Sequence, residues 1–164
     1  MTKQTSRERT FQWSNPLEGA SQGKQLSGID YLTAMKEGKI PLPPLLHTLD
    51  FEVGDIKKGQ VSFFFRPQEF HYNPIGTVHG GVISAILDSA MGCTVHSMLE
   101  AGTGYTTLEL KVNFLKAITT QNGHLKAEGK VIHAGGRTAL VEAQLTDEKV
   151  TVYAHGVSTC MILK

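Results

Sequence analysis

One stretch of the chain places two chemically capable features close together: the run His79-Gly80-Gly81 and the carboxylate of Asp88. From Val78 to about Leu99 the apolar residues recur at helical spacing. Val82, Ile86 and Ala90 share one line, with Ile83 and Leu87 beside it. Gly80 and Gly81 fall where that helix begins. There backbone N–H groups lack intrahelical acceptors and the helix dipole is positive. Without side chains, the two glycines let a carbonyl oxygen come close to the backbone. The same pair also suits a tight entry from loop to helix. Asp88 lies in the middle of an otherwise apolar helix, where a carboxylate is costly unless it is paired or faces a cavity. Burial there would raise its pKa. It could be a carboxylate satisfied by hydroxyls such as those of Ser84 or Thr106, or a general base or nucleophile.

Spacing constrains these two features. Gly80 and Asp88 are eight residues apart. At about 1.5 Å of rise per residue they are separated by roughly 12 Å along the helix axis. A carbonyl and the group that attacks it must approach to about 3 Å. One helix does not readily supply both groups to one substrate. Two antiparallel helices related by a two-fold axis can.

The elements that must position this helix can be read on either side of it. Residues 1 to about 26 are polar and read as a loosely ordered lead-in, with Phe11 and Trp13 available as anchors. Ser27 suits an N-cap and Asp30 the N3 position of a short helix near 28–37, which buries Ile29, Leu32 and Met35 and stops at Gly38. Pro41, Pro43 and Pro44 begin an extended segment. Strands are expected at 45–53 and 60–66 around a turn at 54–59, with Phe63, Phe64 and Phe65 in a strand covered on both faces. Residues 67–77 read as a loop. After the long helix, strands are expected near 104–118, 123–134, 137–147 and 150–162, divided by turns at Gln121-Asn122-Gly123, Gly135-Gly136 and Asp147-Glu148. Two strands, one helix and four strands make an α+β domain over 27–164, with a curled antiparallel sheet wrapped around the helix.

The bulk properties narrow the setting. The 164 residues suit one domain, and a 40% hydrophobic fraction suffices for a core. A formal net charge of +1 calls for neither nucleic acid nor a membrane surface as partner. Cys93 and Cys160 are far apart in sequence, so a disulfide framework is not expected and a reducing cytoplasm is the default setting. The polar N-terminus lacks the apolar core of a signal peptide, and no apolar run is long enough to span a bilayer. Seven histidines invite a metal reading, but none stands at HExxH or comparable spacing, so no metal site is expected.

The segments NPIGTVHGGVISAILDSAMG, TTLELKVNFLKA and GRTALVEAQL resemble the hotdog-fold thioesterases of the phenylacetic-acid-degradation, or PaaI-like, type over about residues 45–162. The resemblance implies hydrolysis of an acyl-CoA without metal or other cofactor, CoA being part of the substrate. It also implies a homodimer whose sheets join edge to edge, often paired again into a homotetramer. It casts the Gly80 N–H as main oxyanion donor, with Gly81 beside it, and Asp88 as base or nucleophile. Asn73 matches a position whose amide can donate to the thioester carbonyl, although an Asn before Pro74 also suits a turn. His79 matches the family histidine that orients the loop or the thioester. Thr107 aligns with a hydroxyl that helps place the attacking water. Its spacing from Asp88 is one residue longer than in some relatives, so Thr106 competes for that role. Arg137 and Thr138 open a strand in a region used against the CoA phosphates or pantetheine, and Arg suits phosphate by charge and planar fork.

Two other functions compete. A hotdog enoyl-CoA hydratase or dehydratase would carry an Asp upstream of its His, where this chain has Tyr72-Asn73. A non-catalytic acyl-CoA-binding or sensing domain would have no need of the acid, which is retained, and no DNA-binding segment is appended.

Overall fold

The computed structural model describes residues 6–164. Residues 1–5 of the polar lead-in lie outside the described residues. The rest of the lead-in is more structured than its polarity suggests, because residues Pro16–Gly23 form a helix, α1. The Asn15 side chain accepts from the Leu17 N–H, and Pro16 takes the first helical turn, where its missing N–H costs nothing. Helix α2 follows at Gly28–Lys36, capped by Ser27 as expected.

The segment expected as a strand at 45–53 divides in two. Pro44–Leu49 is a short helix, α3, and strand β1 runs Phe51–Lys57, through most of the expected turn. Pro44 opens the helix in the favourable first-turn position. Asp50 closes it in the left-handed conformation at φ 59° and turns the chain into β1. Leu45, Leu46 and Leu49 have helical spacing, whereas a strand would need alternation.

The remaining elements follow the expected order. They are β2 at Gln60–Phe65, helix α4 at Gly80–His96, β3 at Gly104–Phe114, β4 at Leu125–Ala134, β5 at Thr138–Thr146 and β6 at Val152–Leu163. The strands form one antiparallel sheet in the order β1-β2-β4-β5-β6-β3, which leaves β3 at an edge. The sheet curls around α4. Phe63 lies in register with Ala127, which pairs with Leu145, which pairs with Ala154. All four are buried on the helix side. Phe65 is buried on that side too, while Phe64 on the other face is half-buried, so both faces of β2 are at least partly covered.

Two glycines set how closely helix and sheet approach. A Cβ at Gly129 would stand 2.4 Å from the Thr94 hydroxyl and 2.7 Å from the Ala90 carbonyl oxygen. One at Gly156 would meet Met91 at 3.2 Å. Close approach lets the Thr94 hydroxyl accept the Val61 N–H at 3.1 Å, which ties α4 to β2. Ile83, Ile86, Leu87, Ala90, Met91 and Val95 are then buried, at about 1.5–3 kcal/mol for each of the larger side chains. No described helix is long and apolar enough to cross a membrane.

Candidate active site

The start of α4 is built around His79. Its Nδ1 accepts the Gly81 N–H at 2.9 Å, so the imidazole is the helix N-cap. The next two amides, of Val82 and Ile83, both donate to the His79 carbonyl. The Gly80 N–H is left without a protein acceptor among the described residues. The cap therefore removes Gly81 as a second free donor and isolates Gly80 as the one available. Side chains at the two glycines would also press on their neighbours. A Cβ at Gly80 would lie 3.1 Å from the Phe114 ring, and one at Gly81 would lie 3.0 Å from His79 Nδ1.

The preceding loop closes on itself. Asn73 Oδ1 accepts from the Ile75 and Thr77 N–H groups at 3.1 and 3.2 Å, and its Nδ2 donates to the Thr77 hydroxyl at 2.9 Å. The turn role open to Asn73 in the sequence is thus filled, with one amide hydrogen left over. Asn73, Gly80, Ile83 and Phe114 border a cavity of about 300 Å³.

Asp88 faces a different cavity, of about 430 Å³, bordered also by Phe63, Ser89, Cys93, Tyr105, Thr106 and Thr107. Thr107 supplies its hydroxyl partner, donating to Asp88 Oδ1 at 2.9 Å. Neither Ser84 nor Thr106 makes that bond. Thr107 faces the helix, level with buried Cys160 and Ala139 on the neighbouring strands. Thr106 is exposed in the next row, with Met161 and Thr138. Around the carboxylate the titratable neighbours are held neutral. Burial pushes the Cys93 thiol up to about 12, and burial also raises Tyr105 well above the ordinary phenol range and Cys160 above the ordinary thiol range. The negative charge of Asp88 raises all three further.

Arg137 lines neither cavity. It is exposed at the turn between β4 and β5, its carbonyl accepts the Ile162 N–H at 2.9 Å, and its guanidinium has no hydrogen-bond or ion-pair partner among the described residues. Thr138 is exposed beside it. No cluster of three or more His, Cys, Asp or Glu side chains among the described residues could hold a metal ion.

Sequence reasoning missed Phe114, whose ring covers Gly80, and the α2–α3 segment, which walls the Asp88 cavity through Met35, Pro43, Leu45 and Leu46. Pro44 followed by leucines at helical spacing was the available signal for α3.

A curled antiparallel sheet around one long helix that starts at paired glycines defines a hotdog fold. Residues 75–154 match the model of the thioesterase superfamily. The 1,4-dihydroxy-2-naphthoyl-CoA hydrolase of Listeria monocytogenes is 28% identical over 104 residues, 63% of this chain and 83% of that one. Among solved structures, a phenylacetic acid degradation-related protein of Ralstonia eutropha superposes with a TM-score of 0.73 at 26% identity, over 80% of this chain and 98% of the other. The PaaI protein of Escherichia coli has the same fold, with a TM-score of 0.72 at 16% identity over 85% and 96%. Thioester hydrolysis is the reaction class that the superfamily match and the named CoA hydrolase relative support.

Proposed function

We propose that the chain hydrolyses acyl-CoA thioesters at sites shared between two subunits, with the Gly80 N–H of one and Asp88 of the other. The observation that carries this reading is the separation of the two groups. Within one chain, Gly80 and Asp88 border different cavities. A second copy related by a two-fold axis, with its helix antiparallel, would complete each half-site with the other. Strand β3 suits such a junction. It lies at the sheet edge next to α4, and Leu108 and Phe114 on it are about half exposed.

In this scheme the thioester carbonyl accepts from Gly80 at the positive end of the helix, where negative charge on oxygen is favoured as it develops. Asp88, steadied by Thr107, attacks the carbonyl carbon or takes a proton from the water that does. The CoA thiolate leaves; where water attacks, the free acid forms directly, and where Asp88 attacks, water then hydrolyses the acyl-Asp88 anhydride to the free acid and the regenerated carboxylate. His79 acts through the backbone, because its cap fixes the first turn and leaves the Gly80 amide unbonded.

Asp88→Asn and Gly80→Pro each remove one half of the site. Co-expressed, the two inactive chains should form hybrid dimers with one intact site. In an equal mixture, about a quarter of wild-type thiol release should return. Hybrid dimers seen by native mass spectrometry without recovered activity would place both groups in one chain. Conversion of enoyl-CoA to hydroxyacyl-CoA with no thiol released would favour a hydratase.

A further inference from the structure

The cavity at Asp88 is assembled from two parts of the chain. Asp88, Tyr105 and Thr107 belong to the region that matches the superfamily model, residues 75–154. The opposite wall does not. It consists of Met35 from α2, Leu45 and Leu46 in α3, and Val53 and Phe63 from the first hairpin, all N-terminal to the match. Every wall residue from that part is apolar. No Lys, Arg or His lines the cavity, so Asp88 is its sole formal charge.

The wall is held firmly for a segment made of short helices. The Gly28 N–H donates to the Leu99 carbonyl at 2.9 Å, and a Cβ at Gly28 would collide with the His96 carbonyl oxygen at 1.7 Å, so α2 is seated on the last turn of α4. Lys36 Nζ donates to the Gly54 carbonyl at 2.6 Å, tying the other end of α2 to β1. Helix α3 is fixed from the lead-in. The Arg9 guanidinium donates to the carbonyls of His47 and Thr48 at the C-terminal end of α3, and lies 4.0 Å over the Phe70 ring. Cations are favoured at that helix end. Arg9 is thus a positioning residue for Leu45 and Leu46.

We propose that the α2–α3 wall, through Met35, Leu45 and Leu46, selects the acyl group, admitting neutral apolar acyl chains up to the length the wall allows and rejecting those with a terminal carboxylate. This rests on the acyl-CoA reading of the site above. A second carboxylate would enter a largely apolar cavity that already holds the Asp88 charge and offers hydroxyls but no cation, so the charge repulsion has no counter-ion to offset it. Length selection is the steric counterpart, since one methylene misfitted in an apolar pocket changes kcat/KM by about tenfold or more.

The test measures kcat/KM for straight-chain acyl-CoAs of rising length, with the full chain and two variants at Leu45. That residue is 47% exposed, so its substitution leaves the core intact. Leu45→Phe should lower the ratio of long-chain to short-chain kcat/KM by about tenfold, and Leu45→Ala should raise it. Hexanoyl-CoA should exceed adipoyl-CoA, its carboxylated counterpart, by at least about tenfold. Profiles that coincide in all three proteins, or adipoyl-CoA turned over as well as hexanoyl-CoA, would overturn the assignment. Should the wild type hydrolyse no thioester, the acyl-CoA hydrolase reading fails by itself. Calorimetric binding of non-hydrolysable acyl thioether analogues of CoA then decides the wall's role by the same ordering of variants.

Discussion

At the N-terminus of α4 the chain presents a bare backbone N–H, and eight residues later it presents a carboxylate with a hydroxyl donor. The two ends of this stretch are supported differently. Gly80 is available because its neighbours are satisfied: His79 caps Gly81, and the next amides turn back to the His79 carbonyl. Asp88 is available because the sheet brings Thr107 to one of its oxygens and the N-terminal helices leave a cavity in front of it. The first end depends on what is absent, a side chain and a bond. The second depends on what distant strands deliver. Substitutions should therefore hurt the two ends by different routes.

The largest effect should come from Asp88→Asn. The amide keeps an oxygen for Thr107 to donate to, so the thermal midpoint should hold while kcat for thiol release falls by about 10²–10⁴. Undiminished turnover in a folded variant would remove Asp88 from the chemistry. Gly80→Pro should cost somewhat less, about 10²–10³ in kcat. Proline is favoured at the first helical position, and His79 at φ −62° and ψ 135° already has the backbone that a residue before proline adopts. The variant thus deletes the N–H with little backbone strain, and only the half-exposed Phe114 ring must give way. A Gly80→Pro enzyme with normal kcat would move the oxyanion donor elsewhere. Thr107→Val should lower kcat by about tenfold, the scale of one hydrogen bond to a charged but partly solvated group. Thr107→Ser should restore it, whereas a purely packing role would be kept by valine and harmed by serine.

The two ends also differed in how legible they were. The helix, the glycines at its start and the isolated acid could all be read from local spacing, because helical periodicity and a mid-helix charge are properties of neighbouring residues. The partner of Asp88 could not. Thr106 and Thr107 are adjacent in sequence, and only the register of β3 against β6, with its irregularity between Thr107 and Glu109, decides which faces the helix. Strand faces alternate with period two, so an uncertainty of one residue exchanges the two answers. The α3 wall was misread for a related reason. A six-residue helix that includes the second of two prolines is too short for periodicity to overrule an expectation of extended chain, although Pro44 marked the helix start. The cap role of His79 lay between the two cases, since its position before Gly80-Gly81 was legible but its bond to Gly81 required coordinates.

One residue connects the two regions, and it supplies the subtlest prediction. His71 is 2% exposed. Its Nδ1 accepts the Gln68 N–H at 2.9 Å, so Nε2 carries the proton and donates to the Leu49 carbonyl at 3.0 Å, at the end of α3. Its own carbonyl accepts the His79 N–H at 2.8 Å. The acyl wall and the Gly80 loop therefore meet at a neutral imidazole. Burial lowers its pKa, and the nearby Arg9 charge lowers it further, against the raising effect of the Leu49 bond. The sign follows from which state takes the proton. Above the unfolded value of about 6.5 the ring is neutral in both states, and its contribution is complete. As pH falls below that, the unfolded chain binds a proton that the folded chain resists, so stability declines until the folded pKa is passed. Protonation at Nδ1 would also break the bond from Gln68. Urea unfolding of wild type and His71→Gln between about pH 7.5 and 5 should show the wild type losing stability faster on acidification. Half-buried His96 is shifted in the same direction, also by burial, and remains in both proteins, so its share cancels in the difference. Parallel pH profiles would mean that His71 titrates alike in the folded and unfolded chains and does not hold the two regions together through its neutral form.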